Sequence, residues 1–163
     1  MSLKHAAHQL KCEIGCESLA SSGALRLRVN GWSMIPTVWP GDVLIISKYE
    51  QREVQAGDIV LYRRAERLFV HRLIGGNGQD RQYVVTRGDS MPESDPPLPR
   101  QDLLGKIDCI VRNGRRIAPA KSVPLPHRAI AALVQSADIG ARAVFGVRNL
   151  YQSVQPLGVQ PRD

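Results

Sequence analysis

The chain has 163 residues, 43% of them hydrophobic, which is enough for one domain with an apolar core and too few for a second full domain. Lys and Arg outnumber Asp and Glu by 22 to 15, giving a net charge of +7, whereas aromatic residues make up only 5%. Scattered arginines without aromatic platforms predict a solvated basic surface and argue against nucleic acid as the main partner.

The N-terminal residues have apolar positions at helical spacing. Leu10, Ile14 and Leu19 recur among charged residues, and a Ser-Ser-Gly run over residues 21–23 ends the pattern. We therefore expect an N-terminal helix and linker over residues 1–23. No segment approaches the ~18 apolar residues that span a bilayer, and no apolar leader is present, so the sequence predicts a cytoplasmic protein.

From residue 24 the hydrophobic period changes to two. Leu25, Leu27 and Val29 alternate with arginines, which is typical of a strand with one solvated face. Further segments with strand patterning follow over residues 43–47, 58–63, 68–74 and 82–86. A hairpin over residues 107–118, with Asn113-Gly114 at its turn, ends the pattern. The sequence thus predicts a mainly β domain over residues 24–118.

Residues 119–163 begin with three prolines, and residues 127–154 then return to apolar positions at helical intervals. We expect a Pro-rich linker and a C-terminal helical extension. Arginines interrupt any membrane-like run. Helices packed on the sheet are one expectation, and a peripheral membrane or partner contact through these helices is the alternative.

The chain has three cysteines, Cys12, Cys16 and Cys109. The spacing of the first two lacks the second ligand pair that a zinc site needs. The sequence therefore predicts free thiols, no metal and no organic cofactor.

Ser33 follows the first predicted strand in the sequence NGWSMIPT. Gly31 would let a substrate backbone approach closely, and the amide of Ser33 could point at a developing oxyanion. An ordinary turn serine is the alternative. Because a serine hydroxyl is a poor nucleophile until a base takes its proton, the hypothesis requires a nearby base.

His71 is the candidate base. In the segment RLFVHRLI, strand alternation places it on the same face as Phe69 and Leu73, and partial burial would keep the ring neutral and able to accept a proton. A hydrogen-bonded core histidine is the alternative. The three other histidines, at positions 5, 8 and 127, lie in polar or Pro-rich surroundings and are predicted to be solvated.

The loop TRGDSMPESD over residues 86–95 could supply a carboxylate that orients the histidine. Asp89 and Asp95 are both candidates. Loop carboxylates also form turns through bonds to the backbone, which is the competing interpretation for both.

Taken in order, these segments resemble the serine peptidase clan of signal peptidase I and the self-cleaving domain of SOS-response repressors (S24/S26). The resemblance covers residues 29–107. It lies in SMIPT at 33–37, GDVL at 41–44, GDIV at 57–60, GDS at 88–90 and LGKI at 104–107. It implies coiled, mostly antiparallel sheets between the terminal helices, with the nucleophile beside a shallow groove.

The resemblance also implies roles for individual residues. His71-Arg72 looks like the branch of the clan that uses histidine rather than lysine, and Asp95 matches the position of a functional aspartate there. Asp95 is thus the first choice as orienting residue and Asp89 the second. Ser90 and Met34, in matched segments, are possible supporting residues. Gly31 replaces a serine that assists the oxyanion hole in bacterial signal peptidases.

The implied activity is that of an endopeptidase which cleaves a specific peptide or protein after a small residue, with the substrate bound as an extended strand. Two alternatives remain open. A self-cleaving regulator could use the sequence ASSGA at residues 20–24, and a catalytically silent module could bind peptides without turnover.

Overall fold

The fold comes from a computed structural model that describes residues 3–49, 54–77 and 80–123. These residues form one α-helix and eight strands. They are α1 (Leu3–Ser22), β1 (Ala24–Arg28), β2 (Val43–Lys48), β3 (Ile59–Arg64), β4 (Arg67–Asn77), β5 (Asp80–Arg87), β6 (Leu98–Pro99), β7 (Leu103–Arg112) and β8 (Arg115–Ile117), with a 3₁₀ helix at Arg100–Asp102.

All strand pairs in the described residues are antiparallel, and they form one sheet in the order β1-β2-β7-β3-β4-β5-β6. Strand β8 pairs with β7 beyond the end of β3. Strand β7 is central because it pairs with β2 along one edge and with β3 and β8 along the other. The predicted mainly β, antiparallel fold is therefore confirmed, as one sheet rather than several.

Strand β4 extends further than its sequence pattern predicted. Gly75 and Gly76, which resemble a turn in the sequence, lie within β4 where its pairing with β5 shifts register. Glycine within a strand often marks such a bulge. The two-residue strand β6 was not predicted, because it contains a proline and is too short to show a period. The predicted C-terminal helices lie outside the described residues.

The apolar core lies on both faces of the sheet. Strand β3 contributes to both, since Ile59 and Leu61 belong to one buried cluster and Val60 and Tyr62 to the other. Leu19 of α1 belongs to the first cluster, so the helix packs on that face. No helix in the described part of the chain combines the length and apolar character of a membrane span.

The two Gly-Asp pairs of the sequence have the same local role. Gly41 and Gly57 have φ angles of 92° and 95°, a region that residues with a Cβ rarely adopt. The carboxylates of Asp42 and Asp58 accept backbone N–H bonds from three residues earlier, at 2.7 and 2.9 Å. Each pair therefore forms the turn that leads into a core strand.

Candidate active site

Ser33 lies in the loop between β1 and β2, and hydrogen bonds close this loop at its base. Val29 donates to the carbonyl of Asp42 at 2.9 Å and accepts from Gly41 at 2.8 Å. Within the loop, Met34 and Val38 are buried, and the amide of Val38 donates to the carbonyl of Met34 at 2.9 Å. The nucleophile candidate is thus placed on an anchored segment. Met34, predicted as a supporting residue, is a core residue directly beneath it.

The loop after β5 holds the backbone of the serine in place. The amide of Ser90 donates to the carbonyl of Ser33 at 2.9 Å, and its hydroxyl donates to the carbonyl of Trp32 at 3.1 Å. A Cβ at Gly88 would lie 2.5 Å from the carbonyl oxygen of Ser33. Glycine is therefore required at position 88 by the close approach of the two loops. Ser90, also predicted as a supporting residue, anchors the loop that carries Ser33.

His71 faces Ser33 from strand β4. Its Nε2 lies 2.9 Å from Ser33 Oγ, although 38 positions separate the two residues. The residue is 7% exposed, and its ring contacts Phe69 edge-on at 6.3 Å between centroids. The predicted face, shared with Phe69 and Leu73, is the one observed.

Asp95 lies on the other side of the imidazole. Its Oδ2 is 2.6 Å from His71 Nδ1, and its amide donates to the carbonyl of Thr86 at 2.8 Å, which fixes the loop beside β5. Because a carboxylate accepts hydrogen bonds and does not donate them, the short contact assigns the ring proton to Nδ1. The lone pair of Nε2 then faces the hydroxyl of Ser33.

Two hydroxyl groups that the sequence did not predict surround the same carboxylate oxygen. Thr86 Oγ1 donates to Asp95 Oδ2 at 2.6 Å, and Tyr62 Oη lies 3.2 Å from the same atom. The phenol is also 3.3 Å from His71 Nδ1. These contacts depend on strand pairing, which brings Tyr62 opposite Phe69 and Thr86 opposite Leu73.

These surroundings shift the proton affinities of the acidic groups. Burial acts to raise the pKa of Asp95, but hydrogen bonds from Thr86 and His71, the charge of His71 and the bond from Tyr62 outweigh it, so the pKa lies below its usual value. Burial, reinforced by the charge of Asp95, raises the pKa of Tyr62 to about 12. At neutral pH the site therefore holds a carboxylate and an intact phenol.

Asp89, the second candidate for the orienting residue, is bound by Arg72 rather than by the imidazole. Arg72 binds it with two bonds, Nε to Oδ1 at 2.8 Å and Nη2 to Oδ2 at 2.7 Å, and the hydroxyl of Thr37 donates to the same carboxylate. The reason is alternation along β4, which points Arg72 away from His71. Asp89 instead connects the loop after β5 to the loop that carries Ser33, through Thr37.

Gly31 is exposed, and a Cβ built there would meet no atom within 4 Å. The space that was predicted for an approaching backbone is therefore open. The three cysteines are free, and the described residues contain no group of His, Cys, Asp and Glu side chains that could hold a metal.

The ASSGA segment at residues 20–24 is part of the fold. Gly23 donates to the carbonyl of Leu19 at 3.1 Å and accepts from Lys48 at 2.8 Å, and Ala24 pairs with Ser47. The length of β1 alone, at ~3.3 Å per residue, puts this segment more than ~13 Å along the strand from the loop that carries Ser33. It is not presented to the serine in this arrangement.

Comparison with protein families gives one match. The family model described as Peptidase S24-like matches residues 3–93, a range that includes Ser33 and His71 and ends short of Asp95. None of the curated proteins compared with the chain matches it.

Proposed function

Because this chain belongs to the S24-like peptidase family, we propose that it is a serine endopeptidase of the signal-peptidase-like kind. Ser33 is the nucleophile and His71 the general base. Asp95 orients the imidazole of His71 and stabilises its charged form. One observation carries the proposal: Ser33 Oγ, the imidazole and the Asp95 carboxylate form a continuous hydrogen-bonded line, with distances of 2.9 and 2.6 Å.

In the proposed reaction, Ser33 Oγ attacks the carbonyl carbon of the scissile bond while its proton passes to His71 Nε2. The Asp95 carboxylate stabilises the imidazolium that forms. When the tetrahedral intermediate collapses, the C–N bond breaks and the imidazolium gives its proton to the leaving amine. His71 then takes a proton from water as the water oxygen attacks the acyl-enzyme ester. When this second intermediate collapses, the ester C–O bond breaks and the imidazolium returns the proton to Ser33 Oγ, which restores the free serine.

The amide of Ser33 is the proposed oxyanion donor. The carbonyl of Trp32, in the same peptide unit, accepts bonds from the amide of Ile35 at 3.0 Å and the hydroxyl of Ser90 at 3.1 Å. Since N–H and C=O point in opposite directions in a trans peptide, these bonds fix the direction of the Ser33 N–H. Gly31 supplies no side-chain donor, and a missing donor costs about 10²-fold or more in rate, so we expect slow turnover.

An edge of β4 that is unpaired within the described residues lies beside the site and supports binding of an extended substrate. Leu73 exchanges backbone bonds with Gly57 and Asp58 on the β3 side of β4. By alternation, the backbone N–H and C=O of Leu68 and Val70 point to the opposite edge. There β5 pairs with β4 only from Arg72 onward, and no strand of the described residues pairs with the segment before it. A peptide can therefore add to this edge beside Ser33.

Mass spectrometry of a peptide library tests the proposal. Peptides derived from a whole proteome are incubated with the protein and with a Ser33→Ala variant. We expect cleavage after small residues such as alanine with the wild-type chain alone. Equal cleavage by both proteins would contradict Ser33 as nucleophile.

Mass spectrometry also separates the two alternative functions. Intact mass of the protein incubated alone should stay constant, whereas loss of an N-terminal fragment ending near residue 22 would favour a self-cleaving regulator. A folded protein that retains peptides from the library without cleaving them would favour the silent binding module.

A further inference from the structure

The phenol of Tyr62 is a buried polar group that the proposed mechanism does not use. The residue is 1% exposed, and its ring stacks on Phe69 with centroids 5.5 Å apart and planes 17° apart. This stacking leaves the hydroxyl nearly equidistant from His71 Nδ1 and Asp95 Oδ2, at 3.3 and 3.2 Å.

Of His71 Nδ1 and Asp95 Oδ2, only the carboxylate oxygen can accept the single proton of the phenol. His71 Nδ1 carries a proton that it donates to Asp95 at 2.6 Å, so it cannot accept a bond from Tyr62. The phenol therefore donates to Asp95 Oδ2, which already accepts from His71 and from Thr86 at 2.6 Å. Three donors converge on one carboxylate oxygen.

We propose that Tyr62 is a positioning residue. Together with Thr86, it keeps the Asp95 carboxylate beside His71 and weakens the hydrogen bond that the carboxylate accepts from His71 Nδ1. Each added donor satisfies part of the negative charge of Oδ2. Asp95 then stabilises the imidazolium less than it would without these donors. The kinetic consequence rests on the proposed peptidase function, whereas the effect on the imidazole does not.

The charged and titratable groups around this cluster come from three elements. Strand β4 carries His71, the loop after β5 carries Asp95, and β3 carries Tyr62 together with Arg64, whose guanidinium lies 5.7 Å from the centre of the phenol ring. Replacing Tyr62 by phenylalanine removes only the hydroxyl, so the ring stacking and the contact with Arg64 remain.

NMR titration of the imidazole tests the proposal without any substrate. Histidine labelled with ¹⁵N is followed from pH 4 to 9 in the wild-type chain and in Tyr62→Phe, with the His71 signals assigned by their loss in His71→Gln. We expect the midpoint of the His71 titration to rise by about half a pH unit in Tyr62→Phe, because the lost bond is long, at 3.2 Å, and acts on the imidazole only through Asp95. Thr86→Val should move it in the same direction.

The matched control is Tyr83→Phe, which removes the same hydroxyl from a tyrosine that is 40% exposed on β5. It should leave the midpoint unchanged. An unchanged or lowered midpoint in Tyr62→Phe would overturn the inference. If Tyr62→Phe fails to fold, as judged by circular dichroism, the same result in Thr86→Val would overturn it.

Kinetics separate this inference from the proposed function. With a cleavable peptide, the acidic limb of kcat/KM against pH should move up in Tyr62→Phe by the same amount as the imidazole midpoint, with KM unchanged. A shifted midpoint in a protein that cleaves no peptide would refute the peptidase and leave the role of Tyr62 standing. A shift in the kinetic limb without a shift in the midpoint would refute the role of Tyr62.

Discussion

Replacing Asp89 by asparagine is the most informative perturbation of the scaffold behind the site. Arg72 is 6% exposed, and its guanidinium binds Asp89 twice and donates to the carbonyls of Gly57 and Ala120 at 2.7 and 2.6 Å. Asparagine preserves the shape of the side chain but removes the negative charge. The buried guanidinium is then left without a counter-ion.

The expected loss of stability in Asp89→Asn follows from the burial of the Arg72–Asp89 ion pair. The side chains of Arg72 and Asp89 are 8% and 3% exposed, so water compensates little for the lost charge of the carboxylate. Removing one partner of a buried pair costs about 3–5 kcal/mol, and the remaining carbonyl acceptors place this variant at the lower end, about 3 kcal/mol. For a chain of this length the melting temperature should fall by roughly 10 °C.

The matched control is Asp58→Asn. Asp58 is also nearly buried, with 4% of its side chain exposed, but its partner Lys106 is 33% exposed and can be rehydrated. We expect a loss below about 1 kcal/mol. Urea unfolding of both variants at pH 7 measures the difference. Equal destabilisation of the two variants would refute the argument that burial of the cation sets the cost.

Three further predictions test other parts of the account. Gly88→Ala should lower both stability and activity because its Cβ meets backbone at 2.5 Å, whereas Gly31→Ala, in open space, should leave urea unfolding unchanged. Since the pKa of Asp95 is lowered by folding, its contribution is present above its unfolded pKa near 3.8 and is lost as pH falls below it. The gap in unfolding free energy between wild type and Asp95→Asn should therefore shrink from pH 6 to pH 3, and a constant gap would contradict the assigned contacts. Burial raises the pKa of Cys12 to about 11, so iodoacetamide at pH 8 should modify the more exposed Cys16 first, as peptide mapping would show; faster reaction of Cys12 would contradict its burial.

Much of the fold could be predicted because its signals are local. Alternating Leu25 and Leu27 identify β1, and Asn113-Gly114 identifies the turn before β8, where both residues have positive φ angles. The full extent of β4 could not be predicted, because Gly75 and Gly76 look the same in a turn and in a bulged strand. Which strands are neighbours in the sheet depends on long-range packing, which no local pattern encodes.

The residues of the candidate site also include some that sequence motifs identify and others that only long-range packing reveals. Ser33, His71 and Asp95 could be selected because the resemblance ties each to a motif, and the structure brings all three within hydrogen-bonding distance. Tyr62 could not be selected, because an aromatic residue in an apolar strand is typical of any core and only the register with β4 reveals its contacts. Asp89 stayed a second candidate because two loop aspartates six positions apart cannot be told apart by sequence pattern, and only the position of Arg72 shows which group Asp89 binds.

The central claim is that His71 activates Ser33, and the rate of phosphonylation by a fluorophosphonate measures this directly. The wild-type chain, His71→Gln and Ser33→Ala are treated at pH 8, and adducts are counted by intact mass and located by peptide mapping. We predict one adduct on Ser33 in the wild-type chain, none in Ser33→Ala, and a rate at least about 100-fold lower in His71→Gln, the usual contribution of a general base. An adduct on another residue, or a rate that does not change in His71→Gln, would contradict the account.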